Sequence, residues 1–202
     1  TGLTVRKSSL FVPRFIELKK AEIRNRPALK LNSDHYEILP ETFALREPID
    51  IQLTYTTTLA DSGRTALYRL NKQENRWEWI NDSRDGMTLT GKLNGGGSIA
   101  AVYDFEPPVI SKLYPEAGET VRNLSPRIQF TLIDSLSGFL DDRNILIKLD
   151  GKWQIPEFDP ETGLCTTQAL EPLSVGSHHL SIEVSDRVGN KAARYLQFDV
   201  RP

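Results

Sequence analysis

The sequence is poor in the residue types that most often carry chemistry. Its 202 residues include one cysteine, Cys165, and three histidines, His35, His178 and His179. A single cysteine forms no internal disulfide, so the fold has to be stable through packing alone. Cys165 lies in a predicted strand with no histidine near it in the sequence, and we interpret it as a small core residue rather than a nucleophile.

The histidines lack the spacing of a zinc site. His178 and His179 are adjacent in a predicted strand, so their side chains point to opposite faces and do not readily bind one metal. Neither His-x-His nor His-Glu-x-x-His occurs. Serines and threonines are abundant, but without a histidine partner they do not indicate a nucleophile. We therefore predict no catalytic residue, no metal and no other cofactor, and we expect that this chain is not an enzyme.

Neither the charged nor the apolar residues form long runs. There are 25 basic and 27 acidic residues, for a net charge of −2, with no run of one sign. This balance disfavours binding to nucleic acid or to an anionic membrane. No apolar segment approaches the roughly 20 residues that span a bilayer, so no membrane insertion is expected. Residues 1–4 lack the features of a signal peptide, and we expect a fragment of a longer protein whose targeting signal lies outside it.

Short segments of alternating apolar and polar residues recur along the whole chain, separated by turn residues. This period of two is typical of strands with one face in a core. The only stretch with helical character, residues 19–27, is predicted to be a strand followed by a polar loop, because Pro27 would end a helix. The predicted inward-facing sets are Ile49, Ile51, Leu53 and Tyr55; Ile128, Phe130 and Leu132; Leu180, Ile182 and Val184; and Leu196, Phe198 and Val200. The pattern predicts an all-β protein.

Two turns of the second half have a defined chemistry. In residues 186–190, Gly189 is predicted to take a positive φ, and the carboxylate of Asp186 is predicted to bind loop amides. Asp150-Gly151 predicts a tight hairpin.

A glycine-rich segment in the first half, residues 94–97, resembles a phosphate loop only superficially. It lacks the Gly-Lys-Ser/Thr ending and has a predicted strand on each side. We interpret it as a hairpin turn between strands 87–93 and 98–104, in which Gly96→Ala would cost little stability.

The sequence divides at Glu106-Pro107-Pro108. Two prolines remove two amide donors and hold the chain extended, which indicates a short, semi-rigid joint. We predict a β-sandwich domain over residues 1–105, a linker over 106–108 and a second domain over 109–202.

Both halves resemble known domains. Residues 176–200, with Gly176, His178, Asp186 and Gly189-Asn190, resemble the last hairpin of bacterial immunoglobulin-like domains, and Pro107-Pro108 resembles the opening of such a module. Residues 1–105 resemble a β-sandwich of bacterial surface and envelope proteins, distantly like the β-rich domain of ankyrins and netrin receptors. The matching features are Tyr36–Pro40, Pro48 before an alternating strand, a leucine-tyrosine strand, a tryptophan strand and a strand ending in Asp104. The resemblance implies two tandem β-sandwich domains, the second immunoglobulin-like.

The resemblance also implies a function. Such modules space or position a partner domain of a larger secreted or cell-envelope protein, in the periplasm, on the cell surface or outside the cell. Some accompany lysostaphin-type peptidoglycan endopeptidases, whose His-x-x-x-Asp and His-x-His zinc ligands this chain lacks. The expected partners are other domains of the same polypeptide, with protein or cell-wall glycan as further partners, and the chain is expected to be a monomer.

Two alternatives stay open. Trp77 and Trp79 share one strand face, and an exposed pair of this kind would be a stacking platform for a carbohydrate-binding module that targets an attached wall-degrading peptidase; the same pair would also suit a sandwich core. Asp104, Glu106 and Asp186 would serve as loop carboxylates for calcium at a domain junction, although turn chemistry alone explains such loop carboxylates.

Overall fold

The computed structural model of the protein describes residues 1–21, 30–31, 34–56 and 62–202. Within these ranges the chain consists of β-strands, short 3-10 segments and loops, with no α-helix. It forms two compact units, Thr1–Phe105 and Glu106–Pro202. The prediction of an all-β protein made of tandem β-sandwiches is confirmed.

The first unit has two sheets. One sheet has the strand order β1-β5-β9-β8 and the other the order β2-β4-β10-β6-β7, with β3 also paired to β10. Short 3-10 segments lie at Lys7–Ser9 and Ser62–Arg64. The strands are β1 (Gly2–Thr4), β2 (Glu17–Ala21), β3 (Lys30–Leu31), β4 (His35–Leu39), β5 (Ile49–Thr54), β6 (Thr65–Asn71), β7 (Arg76–Trp79), β8 (Asn81–Asp85), β9 (Thr88–Leu93) and β10 (Gly97–Tyr103).

The core of this unit contains the residues that alternation predicted. Ile49, Ile51 and Leu53 are buried on one face of β5, and Tyr55, which directly follows this strand, is buried as well. They pack with buried residues of both sheets: Ile38, Leu67, Leu89, Leu93, Ile99 and Ala101. Residues 19–27 are predicted to be a strand followed by a polar loop; residues 19–21 lie in β2, and residues 22–27 fall outside the described residues.

The predicted hairpin between strands 87–93 and 98–104 is wrong. β9 pairs with β5 and β8, whereas β10 lies in the other sheet between β4 and β6. Residues 94–96 therefore cross from one sheet to the other. The hairpin partner of β9 is β8, which sequence analysis missed because its residues, Asn-Asp-Ser-Arg-Asp, contain no apolar side chain to reveal an alternation.

Gly96 has a different role from the one predicted. A Cβ at this position would lie 2.1 Å from the carbonyl oxygen of Pro40 and 2.5 Å from that of Ile38. Backbone atoms cannot move aside as the end of a long side chain can. The segment thus needs glycine at this position for close backbone packing, and not for turn flexibility.

The second unit has the strand order of an immunoglobulin-like sandwich. Its sheets run β11-β13-β17-β16 and β12-β19-β18-β14-β15, which in immunoglobulin lettering are A-B-E-D and A′-G-F-C-C′. β12 pairs in parallel with β19, and a short 3-10 segment lies at Asp142–Asn144. The strands are β11 (Val109–Tyr114), β12 (Thr120–Val121), β13 (Arg127–Ile133), β14 (Ile145–Leu149), β15 (Lys152–Gln154), β16 (Glu157–Asp159), β17 (Leu164–Gln168), β18 (Gly176–Ser185) and β19 (Lys191–Val200).

The predicted inward faces of this unit are present. The predicted residues of β13 and β18, together with Phe198 and Val200 of β19, are buried in one core, and Leu196 packs against it partly exposed. Both predicted turns are also confirmed. Gly189 has φ of 89°, and Asp150 and Gly151 have φ of 49° and 80°. The latter two values are those of the type I′ turns that join tight hairpins.

Gly96→Ala is expected to destabilise the first unit by about 1–3 kcal/mol, because its Cβ would collide with two backbone carbonyls. Gly95→Ala is the matched control, since a Cβ there would meet no atom closer than 3.8 Å. Chemical denaturation of the two variants measures the difference. Equal stability would show that the crossing segment is not packed as described.

Candidate functional site

The two tryptophans of the stacking hypothesis lie on the same face of β7. Trp77 is opposite Leu70 and Trp79 is opposite Tyr68 in the β6–β7 pair, and Tyr68 and Leu70 are both buried. Trp77 is only 7% exposed and lies edge-on to His35, with ring centroids 6.2 Å apart.

Trp79 is half-buried and held from two sides. Its ring lies edge-on to Tyr68 at 5.6 Å between centroids, and its indole Nε1 donates a hydrogen bond to the carbonyl oxygen of Asn81 at 2.9 Å. Stacking of a sugar ring needs an open indole face. Trp77 is buried and Trp79 is half-buried, so the two residues do not offer two open indole faces. Their role in glycan binding stays a prediction.

Cys165 is buried in the core of the second unit, between the sheets. Burial raises the pKa of its thiol to about 12, and the charges of Asp142 and Glu157 act in the same direction. The hydrogen bond that the sulfur accepts from the backbone of Glu157 lowers the pKa, but by less. A thiol with this pKa is almost entirely protonated near neutral pH, whereas the thiolate is the nucleophile. The side chain therefore acts as a small core residue.

Two loop carboxylates of the second unit lie close together. Asp134 Oδ1 accepts hydrogen bonds from the amides of Leu136 and Gly138, at 3.0 and 2.6 Å. Asp186 Oδ1 accepts hydrogen bonds from the amides of Val188 and Asn190, as predicted. One carboxylate oxygen of Asp134 and one of Asp186 lie within 4.8 Å of each other. The two loops are also joined by Arg187, whose amide donates to the carbonyl oxygen of Gly138.

This pair has an electrostatic cost. Burial raises the pKa of Asp134, and the charge of Asp186 raises it further. The hydrogen bonds from the backbone amides stabilise the ionised form and lower the pKa, but by less. The calcium hypothesis includes Asp186 but not Asp134. Of its remaining carboxylates, Glu106 accepts a hydrogen bond from Ser135 Oγ at 3.3 Å, and Asp104 belongs to the first unit. Calcium binding stays a prediction.

Sequence analysis missed a polar cluster built around His178. This side chain is only 4% exposed, whereas the neighbouring His179 is exposed, as expected for adjacent strand residues. Its Nδ1 lies 2.6 Å from Asp150 Oδ2 and its Nε2 lies 2.9 Å from the carbonyl oxygen of Ser174. The sequence signal for this cluster was the Asp150-Gly151 turn. Leu149, just before the turn, pairs with Leu180, and this pairing places Asp150 beside His178.

The hydrogen bonds determine the charge of this cluster. A carboxylate and a carbonyl oxygen both accept, so both ring nitrogens of His178 have to donate, which requires the doubly protonated imidazolium. Burial alone would lower the pKa of His178, but the hydrogen bonds to Asp150 and Ser174 and the charges of Asp150 and Asp199 raise it above its ordinary value. Burial alone would raise the pKa of Asp150. The hydrogen bonds from His178 and from the His179 amide outweigh burial, so the pKa of Asp150 is lowered.

An open groove of about 340 Å³ lies next to this cluster. It is bounded by the β14–β15 turn, by β15 and by the segment that connects β17 to β18. Its lining includes Asp150, Lys152, Trp153, Glu171 and His178. Trp153, unlike the two tryptophans of the first unit, is 52% exposed.

The chain matches no protein-family model and no curated protein. Among solved structures it is similar to CopC from Methylosinus trichosporium OB3b, with a TM-score of 0.38 and 20% identity over 47% of this chain and 94% of that one. It is also similar to dimeric latent PorU from Porphyromonas gingivalis, with a TM-score of 0.39 and 14% identity over 83% and 21%. A chimeric titin Z1Z2 carrying a decorin peptide has a TM-score of 0.33 and 12% identity over 85% and 90%. Likenesses of this strength assign no function.

Among the described residues, no helix has the length and apolar character needed to cross a bilayer.

Asp134→Asn is expected to stabilise the second unit at neutral pH. The amide oxygen can keep the two backbone hydrogen bonds, while the repulsion from Asp186 is removed. Because the folded pKa of Asp134 is raised, the wild-type carboxyl favours folding below its ordinary pKa of 3.8 and loses that contribution as the pH rises through the folded value. The gain in melting temperature should be a few degrees, given that about 1 kcal/mol corresponds to roughly 4–8 °C.

Calorimetry at about pH 7 and about pH 3 measures this effect, with the exposed Asp142→Asn as the control. The gain should disappear at the acid pH. Repeating the melts with calcium shows whether Asp134 can act as a calcium ligand beside Asp186, because a bound cation would raise the melting temperature of the wild type more than that of Asp134→Asn.

His178→Gln is expected to remove a pH dependence of stability. Since the folded pKa of His178 is raised, its stabilisation is fully present below the ordinary value of 6.5 and is lost as the pH rises through the folded pKa. In that window the wild-type stability should fall by up to about 1.4 kcal/mol per pH unit. Denaturant melts between about pH 5 and pH 9 measure the slope.

His179→Gln is the matched control, because the side chain of His179 lies on the exposed face of the same strand. It should keep the wild-type profile. A wild-type curve that is flat across the window would mean that His178 is not held as an imidazolium.

Proposed function

We propose that the chain is a pair of non-catalytic β-sandwich modules that space or position a partner domain of a larger secreted or cell-envelope bacterial protein. The observation that carries this proposal is that each unit encloses a hydrophobic core of its own while very little chain joins them. β10 ends at Tyr103 and β11 begins at Val109. The residues in between include Pro107 and Pro108.

This arrangement suits a spacer for physical reasons. A domain with its own core can keep its shape without help from its neighbour. A proline-containing joint is extended and has few backbone conformations, in contrast to a flexible glycine-serine linker. Two such modules in series would hold whatever precedes and follows them at a restricted distance.

The identity of the attached partner is a finer part of the proposal. The resemblance of the second unit to bacterial immunoglobulin-like domains supports the cell envelope as the location and a wall-degrading peptidase as one class of partner. The modules would then act through contacts with other domains of the same polypeptide or with other proteins, as a monomer.

The spacer role is tested by the distance distribution between the two units. In a Cys165→Ala background, cysteines at the exposed positions Asp82 and Glu161 would carry spin labels. The wild-type joint is expected to give a narrow distribution. Pro107→Gly with a Gly-Ser insertion after Phe105 is expected to broaden it.

Labels at Glu161 and Lys191, both exposed and both in the second unit, are the control and should be unaffected by the change in the joint. Circular dichroism of residues 1–105 and 106–202, expressed separately, should show two cooperative melts. A wild-type distribution as broad as that of the glycine variant would rule out the spacer role.

A further inference from the structure

We infer that the groove beside Trp153 in the second unit is a binding subsite for one sugar ring of an uncharged glycan. This goes beyond the spacer role and does not depend on it. The groove volume of about 340 Å³ lies at the lower end of the range for small-ligand sites, which is about 300–1,000 Å³. It therefore suits a single small unit of a longer molecule.

The apolar part of the groove is open to water. Trp153 is 52% exposed and Leu170, on the facing segment, is 62% exposed. Pro172 completes this side of the lining. An indole next to a concave surface offers a flat apolar face to the C–H bonds of a pyranose ring while its N–H stays available for a hydroxyl group.

The charged part of the groove is balanced. Lys152 Nζ lies 3.5 Å from Glu171 Oε2, and the two side chains are 76% and 79% exposed. In water such a pair contributes little to stability, so both groups can exchange their contact for a ligand hydroxyl at small cost. Lys152 donates and Glu171 accepts, which matches hydroxyl groups that do both, whereas the attraction of a charged ligand to one member of the pair would be offset by repulsion from the other.

The walls of the groove are held in place from behind. His178 connects Asp150, in the β14–β15 turn, to Ser174, in the connecting segment. Gln154, in β15, also holds the connecting segment, because its Oε1 accepts a hydrogen bond from the amide of Leu170 at 3.3 Å. A site whose walls are fixed before binding loses less conformational entropy when a ligand enters.

The test is a titration of the full chain with a tetramer of β-1,4-linked N-acetylglucosamine, followed by saturation-transfer NMR and by tryptophan fluorescence. A tetramer of β-1,4-linked glucose in a second arm shows whether the acetamido group contributes. The wild type is expected to bind at least one of them. Trp153→Ala should weaken binding by about tenfold or more, and Trp153→Phe should weaken it less.

Tyr195→Ala, which removes an aromatic side chain of the second unit that is 70% exposed and lies outside the groove, is the matched control and should bind as the wild type does. Trp79→Phe tests the competing site in the first unit. Because Trp153 is exposed, its variants should melt at the wild-type temperature, which separates loss of binding from loss of folding. Absence of binding in both arms, or unchanged binding by Trp153→Ala, would overturn the inference. Loss of binding only in Trp79→Phe would overturn it in favour of the first unit. None of these outcomes alters the distance distribution that tests the spacer role.

Discussion

The pairing of β18 with β19 is the constraint on which the second unit depends. It runs without interruption from Gly176 opposite Val200 to Ser185 opposite Lys191. β18 also pairs with β14 and β19 with β12, so this one register positions most of a sheet. A slip of β18 by one residue would turn the core side chains of that strand to solvent. It would also exchange the faces of His178 and His179 and so break the contact with Asp150.

Much of the fold could be predicted from the sequence because alternation reports directly which face of a strand is buried. The inward residues of β5, β13 and β18 were found in this way. The pairing of β9 could not be found, because its neighbour β8 has no apolar residue to mark it as a strand, and the strand that follows it, β10, lies in the other sheet. A sequence pattern also does not show that Gly96 lies against two carbonyl oxygens from a distant segment.

The candidate site was less predictable than the fold. Tryptophan composition and spacing drew attention to Trp77 and Trp79, yet their surroundings bury the first and half-bury the second. Trp153 has similar chemistry but lies on a short edge strand, where one face meets water. Its groove is completed by the segment that connects β17 to β18. An irregular segment has no periodicity from which its path across a sheet could be inferred.

The buried imidazolium of His178 has a thermodynamic consequence for the whole second unit. Between the ordinary pKa of histidine and the raised value in the folded protein, the folded chain holds this proton to a greater extent than the unfolded chain does. Folding in that interval therefore takes a proton from the solvent, and the buffer has to supply it. The heat measured on folding then contains the ionisation heat of the buffer, so the same protein would give different calorimetric enthalpies in phosphate and in Tris.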